Sequence, residues 1–348
     1  MPKQIATPSL TIVICNYNYA QYLAAAIDSA LAQSTRDVKV MVIDDGSTDG
    51  SRAIIEGYGQ RVEAIFQPNG GQVAAYNHAL ERVDTPYVLF LDADDMLHPA
   101  AAATVIAAFS GSGDWVKVQY RLDVMTSDGM PTGVQVPQSI RADGSGRMLR
   151  HGWLYPSPPG SGNAYRVEAL RRIFPVPVNA DNIHGADFYA IYGVALLGNV
   201  CAIEHALGCY RVHRAARATS ASASGDDLSL ANAEDSLAVA RQSARRWSVL
   251  REIAQNRLDI ALPPAPLDFS AEKARFAQQV YGASFARRWH WFRHDSTRYF
   301  HTIVANPFWT LHKKIAVWGL TMLCLFPAAS FSNRVVRYIA NPLARAGQ

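Results

Sequence analysis

Over its first hundred residues this chain alternates between two hydrophobic periods, and each strand-like run ends in polar or turn-forming residues. Residues 10–15 (Leu-Thr-Ile-Val-Ile-Cys) are apolar almost throughout, as suits a strand covered on both faces. Residues 20–33 follow, with Leu23, Ala26, Ile27, Ala30 and Leu31 at helical spacing. The pattern then repeats, with strands at 38–43, 62–66 and 87–91 and helices at 52–58 and from Gly70-Gly71 through Leu80. Strands that alternate with helices call for a mainly parallel sheet joined by right-handed crossovers. Ligands of such sheets gather beyond the carboxyl ends of the strands. The chemistry is therefore expected on the loops 15–18, 44–49 and 92–95.

Those loops are rich in carboxylates. Asp92-Ala93-Asp94-Asp95 leaves the fourth strand, and carboxylates two apart on an extended exit can converge on one divalent cation that grips a diphosphate. Magnesium and manganese suit such oxygen ligands and keep positions open for phosphate and water. The competing reading is that these residues cap a helix starting near Pro99. A dehalogenase-type phosphatase ranks lower, because Met96 stands where that family needs Thr or Val. The segment Asp44-Asp45-Gly46-Ser47-Thr48-Asp49-Gly50 lacks the glycine spacing and closing Glu of a calcium loop and reads otherwise as a plain turn. A carboxylate there is also well placed to accept the imide N–H of a uracil ring.

Taken in order, Cys15-Asn16-Tyr17-Asn18, Asp44-Asp45-Gly46-Ser47-Thr48-Asp49, Pro68-Asn69-Gly70-Gly71-Gln72 with Asn77, and Asp92-Ala93-Asp94-Asp95 resemble glycosyltransferase family 2. The resemblance is dense over residues 8–110 and looser to about 225. It implies an α/β fold of the GT-A, Rossmann-like type: a mainly parallel mixed sheet flanked by helices, here with a helical C-terminal extension. It implies an inverting transfer of a sugar from a nucleotide-diphosphate donor, a UDP-sugar by preference, with Mn²⁺ or Mg²⁺ as cofactor. Donor binding would fall to Cys15, Asn16, Tyr17, Asn18, Asp45, Gly70, Gly71, Asn77, Asp92, Ala93 and Arg211. Asp45 would hold the base and Asp92 the ribose or sugar, while Tyr76 stands where many relatives carry Arg. Asp94 and His213 would hold the metal, the latter in Gly208-Cys209-Tyr210-Arg211-Val212-His213. Gly185-Ala186-Asp187 resembles the family's Glu-Asp segment, which makes Asp187 the catalytic base and Asp181 the fallback. Ala186 replaces the usual Glu, and on that residue rests the alternative of a non-catalytic nucleotide-sugar-binding protein.

The net charge of +4 conceals an asymmetry, since residues 271–348 carry 11 Lys/Arg against two Asp/Glu and four of the seven tryptophans. We expect a catalytic domain over 1–227, with a nucleotide-binding half to 110 and an acceptor half from 111, followed by a helical region over 228–348. The segment 155–162 reads as a loop, and 217–227 as a polar linker. Between Lys314 and Arg334 the chain is uncharged, but Gly319, Thr321 and Pro327 dilute it. A spanning helix wants about 20 predominantly apolar residues. Segment 309–338 is therefore expected to lie on or re-enter a membrane surface, with a buried core helix as the competing reading and a membrane-bound scaffold as a further alternative for the whole chain. Such contact suits a lipid-linked acceptor beside a saccharide one. Nucleic acid is not expected, because no recognised module accompanies the basic residues. Residues 1–9 hold one Lys and no apolar run, and the four cysteines are scattered. The expectation is therefore reduced thiols, rather than a Cys201–Cys209 bridge, and a cytoplasmic protein at the inner face of the cell membrane.

Overall fold

The computed structural model describes residues 9–340 apart from 112, 138–139, 141, 180–181, 214–224 and 268. Asp181 and most of the linker 217–227 thus lie outside the described residues. The strands are β1 (Leu10–Asn16), β2 (Val38–Asp44), β3 (Glu63–Phe66), β4 (Tyr87–Asp92), β5 (Met96–Leu97), β6 (Trp115–Met125), β7 (Pro131–Val136), β8 (Asn163–Arg166) and β9 (Asn199–Arg211). They form one mixed sheet in the order β3-β2-β1-β4-β8-β6-β9-β5, with β7 beside β6. The first four are parallel, as their helical crossovers require. β8 then joins β4 antiparallel and opens the mixed half.

Both faces of β1 are buried, which is why its sequence does not alternate. On one face Leu10, Ile12 and Ile14 pack with Leu23, Ala26, Ile27 and Ala30 of the helix Ala20–Leu31. Register sets the site: Cys15 lies opposite Ile43 on one side and Asp92 on the other, while Asn16 lies opposite Asp44. Three sequence-read loops therefore leave the sheet at one level. The helix Ala101–Ser110 begins at Ala100 without a side-chain cap, so the acidic residues at 92–95 are not its capping group. All four cysteines are free thiols.

The chain divides into two compact units, residues 1–215 with 248–264, and residues 216–247 with 265–348. The end of the long helix Gly225–Leu258 belongs to the first, where Arg257 donates to the carbonyls of Ile173 and Pro175 at 2.6 and 2.8 Å. The second has its own aromatic core, built from Phe276, Trp291, Tyr299, Ile303 and Val336. There the uncharged stretch is divided between the helices Leu311–Leu323 and Ala329–Ala340, with Pro327 in the break. Among the described residues no helix is long and apolar enough to cross a membrane.

Candidate functional site

At the carboxyl ends of β1, β2 and β4 opens a cleft of about 710 Å³, within the size range of small-ligand sites. Cys15, Asn16, Tyr17, Asp45, Gly71, Asp92, Ala93, Asp94, Arg211 and His213 all line it. Tyr19 and His184, which no motif named, and Tyr210 of the Gly208–His213 motif also line the wall.

Each loop is held by its own carboxylate. Asp44 accepts from Asn16 Nδ2 at 2.7 Å and from Ser47 Oγ at 2.6 Å, tying the first two strand exits together. Asp45 accepts from Gln67 Nε2 at 2.7 Å, Gly70 N at 2.9 Å and Gly71 N at 2.7 Å. A carboxylate has roughly four acceptor sites, so most of Asp45 is already spent on the glycine turn. The turn has its own steric demand. Gly71 sits at φ +81°, and a Cβ there would overlap the Ile183 carbonyl. The close approach that the two glycines permit is thus, in the first place, to the 183–186 segment. Gln72 completes that join, its Oε1 accepting from Gly185 N at 2.9 Å and Ala186 N at 3.0 Å. Two motifs 113 residues apart are in this way fastened at the start of the short helix Ala186–Phe188, which carries Asp187.

The fourth loop is the most charged. Asp95 is 1% exposed; it accepts from Ser161 Oγ at 2.6 Å and from Arg211 N at 2.8 Å. Ser161 Oγ also accepts from Asp92 N at 3.0 Å, so the 155–162 loop braces both ends of the acidic turn. Burial, then the charges of Asp95, Asp187 and Asp94, hold the Asp92 carboxyl well above the usual carboxylate range. Burial likewise raises Asp95 to about 7, against its hydrogen bonds to Ser161 and Arg211 and with the charge of Asp94 adding to the rise. Burial first, then Asp92 and Asp45, pushes the Cys15 thiol up, so it stays a neutral wall group. The His213 ring meets Asp94 Oδ2 at 2.6 Å at the half-exposed rim and lies 5.3 Å from the Tyr22 ring.

Other named residues sit elsewhere. Asn77 uses both ends of its amide on the backbone of Val176, at 2.9 Å each, and does not line the cleft. Asn18 accepts from Thr48 N at 2.8 Å, and Gly70, like Asn18, falls outside the lining set. Arg211 lines the cleft, but its guanidinium donates to the carbonyls of Asp94, Thr126 and Ser127. Tyr76 is buried and stacked on Phe90 at 3.7 Å, a core residue. Asp187 does not reach the lining set either, but it flanks Asp92: a Cβ on Gly160 would lie 3.4 Å from Asp92 Oδ2 and 3.6 Å from Asp187 Cβ.

Residues 11–174 match the model of the family Glycosyl transferase family 2. Those residues form a domain of that family. An uncharacterized glycosyltransferase of Nostoc sp., alr2836, is 36% identical to this chain over 213 residues, 59% of this chain and 65% of the relative. A chondroitin synthase of Pasteurella multocida is 37% identical over 105 residues, 29% of this chain and 11% of that one. The match covers under two thirds of the length of the curated relatives. Among solved structures, S. aureus TarS 1–349 in complex with UDP-GlcNAc aligns over 98% of this chain and 92% of its own, at 18% identity and a TM-score of 0.49. The mixed sheet with helices on its faces is the GT-A type architecture that the motifs implied.

Proposed function

We propose that this chain transfers a sugar from a nucleoside-diphosphate donor, a UDP-sugar, to an acceptor hydroxyl with inversion, and that residues 1–227 form its catalytic domain. The observation that carries the reading is the clustering of Asp92, Asp94, Asp95 and Asp187 at one end of the sheet, where burial and then the charges of its neighbours hold Asp92 above its ordinary range. Carboxylates so crowded call for a positive partner.

Among the described residues no three His, Cys, Asp or Glu side chains are pre-assembled around a metal position. Asp94 and His213, adjacent at the cleft rim, fit the sparser requirement of Mg²⁺ or Mn²⁺, which take one or two protein ligands and complete their shell with phosphate and water. When bound, such an ion supplies Lewis-acid stabilisation of the departing diphosphate. The chain's own groups do the rest. Asp45 keeps an acceptor site for an imide N–H of the base, with Cys15 beside it as a neutral wall. Asp92 lies one strand across, where the ribose or sugar hydroxyls pass. Asp187, held in place through Gln72, takes the proton of the attacking hydroxyl, and such help is worth about 10²–10⁴-fold. Attack opposite the leaving group inverts the anomeric carbon in one displacement. The acceptor we infer to be a saccharide or a lipid-linked saccharide, in keeping with the chondroitin synthase among its relatives, and the reaction to run at the inner face of the cell membrane.

The test is nucleotide release by purified protein supplied with Mn²⁺ or Mg²⁺ and a panel of nucleotide sugars. Release from a uridine-linked donor is the expected result. Absence of release from every donor, together with no thermal stabilisation by UDP plus Mn²⁺, overturns the reading.

A further inference from the structure

Of the fifteen large apolar side chains that stand exposed among the described residues, nine fall between Phe285 and Tyr338, all in the second compact unit. The helix Leu311–Leu323 concentrates them. Only Thr321 of its thirteen residues is buried, while Leu311, Ile315 and Trp318 are 69%, 60% and 46% exposed. With Met322 they stand at i, i+4, i+7 and i+11, a single stripe along one face. Val317 and Leu320, on another face of the same helix, do pack on the aromatic core. The helix is thus seated by one side and leaves a second apolar side in solvent. A face of that kind marks a contact with something not made of water.

Charge selects the partner. At about 100° per residue the half-buried Lys314 lies beside the stripe, the exposed Lys313 sits on the opposite side with its ammonium over the Trp309 ring, and the exposed Arg334 follows on the next helix. Residues 271–348 carry 11 Lys/Arg against two Asp/Glu, and one of those two acids, Glu272, is buried and paired with Arg298 at 2.8 Å. Two copies of so basic a face would repel each other across a symmetric contact. Phosphate backbones of nucleic acid would satisfy the charges and leave the aliphatic stripe in water. An anionic bilayer satisfies both. At about 1.5 Å per residue the helix reaches roughly 20 Å, short of the ~30 Å hydrocarbon layer, so it lies in the interface rather than across it.

We propose that the face Leu311–Ile315–Trp318–Met322, with Lys314 beside it and the basic residues of the same unit around it, docks this chain on an anionic phospholipid surface. The inference deepens the membrane element of the proposed function, naming the helix face and the lipid class. It is tested with the full chain by co-sedimentation with vesicles of phosphatidylcholine alone or with roughly a third phosphatidylglycerol. Binding to the anionic vesicles, weak on the neutral ones, is expected, with a loss of at least about tenfold in the double variant Ile315→Ser, Trp318→Ser. A second variant, Lys314→Gln with Arg334→Gln, should weaken binding and flatten its salt dependence. Overturning outcomes are a wild-type chain that stays in the supernatant, serine variants that bind as well as the parent, or a stable dimer that those variants dissociate while vesicles are ignored. Donor binding in solution, measured on the same preparations, should be unchanged by either variant. If donor binding is absent from the parent but vesicle binding holds, the transfer reading falls and the docking surface stands.

Discussion

The two compact units depart from the ordinary sorting of polar and apolar groups in opposite directions. The first buries ionisable side chains: Asp95, beside the half-buried Asp92 at the cleft, and Lys117 on β6. The second leaves aliphatic and aromatic side chains in solvent along the helix Leu311–Leu323. Lys117 shows that burial of charge is not by itself the signal. Its Nζ finds Gln119 Oε1, Tyr155 Oη and Ser157 Oγ at 2.9–3.0 Å, so the protein satisfies it internally. Asp95 is also hydrogen-bonded, to Ser161 and Arg211, but Asp92 and Asp94 beside it add like charge at the cleft, and the exposed stripe has only water. Each mismatch underlies one proposal: a cation with its diphosphate for one unit, an apolar and anionic surface for the other.

The sharpest way to break this contrast is Asp187→Asn. Turnover should fall by about 10²–10⁴-fold while the Kd for UDP measured calorimetrically stays within a factor of two or so. Unchanged turnover would take the base role from Asp187, whereas a parent that binds UDP and shows no turnover would return the chain to the class of nucleotide-sugar binders. Next in size is Gln72→Ala, which removes two hydrogen bonds to the segment before Asp187 at about 1 kcal/mol each. We expect a loss in kcat of roughly tenfold or more, with the far-ultraviolet spectrum intact.

A pH effect of known sign follows from Asp95. The unfolded chain releases this proton near the ordinary Asp value of ~3.9, whereas the folded chain keeps it to about 7. Between those values the folded state binds more protons, so stability falls as pH rises from about 4 towards 7. Thermal melts in EDTA should show this slope, and Asp95→Asn should reduce it. The smallest effect belongs to the second unit: Ile315→Ser should change unfolding stability by less than about 0.5 kcal/mol, as a solvent-facing position should. A large loss would mean that the stripe is packed in the folded chain and would erase the contrast.

The parallel half of the sheet was legible because β1, β2 and β4 are short, mainly apolar runs closed by polar turns, acidic after β2 and β4, and structure and sequence agree there within a residue or two. The cleft residues at 15–17, 45 and 92–94 were legible for the same reason, since strand ends converge by topology, whereas Arg211 and His213 were read only from the resemblance to the family's motif. Asn77 was not, because its role is a bond to Val176, 99 residues away. Nor were Ser161 and Asp95, the brace of the acidic turn. Ser161 lies in a Pro/Gly/Ser loop whose composition says only that it is irregular, and Asp95 looked like one more carboxylate in a run. Gln72 carried a signal that went unused, an amide directly after a Gly-Gly turn. The strand partners of β6, parallel on one side and antiparallel on the other, have no local signature, since pairing direction depends on connections elsewhere in the chain.

Gln72 has one more consequence. Because its carboxamide clasps the amides of Gly185 and Ala186, the glycine turn and the helix bearing Asp187 are joined as a single mechanical part. An engineer who exchanges the N-terminal half for that of a relative must transplant the segment 183–187 along with it, or the imported glycine turn will find no latch and the proposed base will lose its footing.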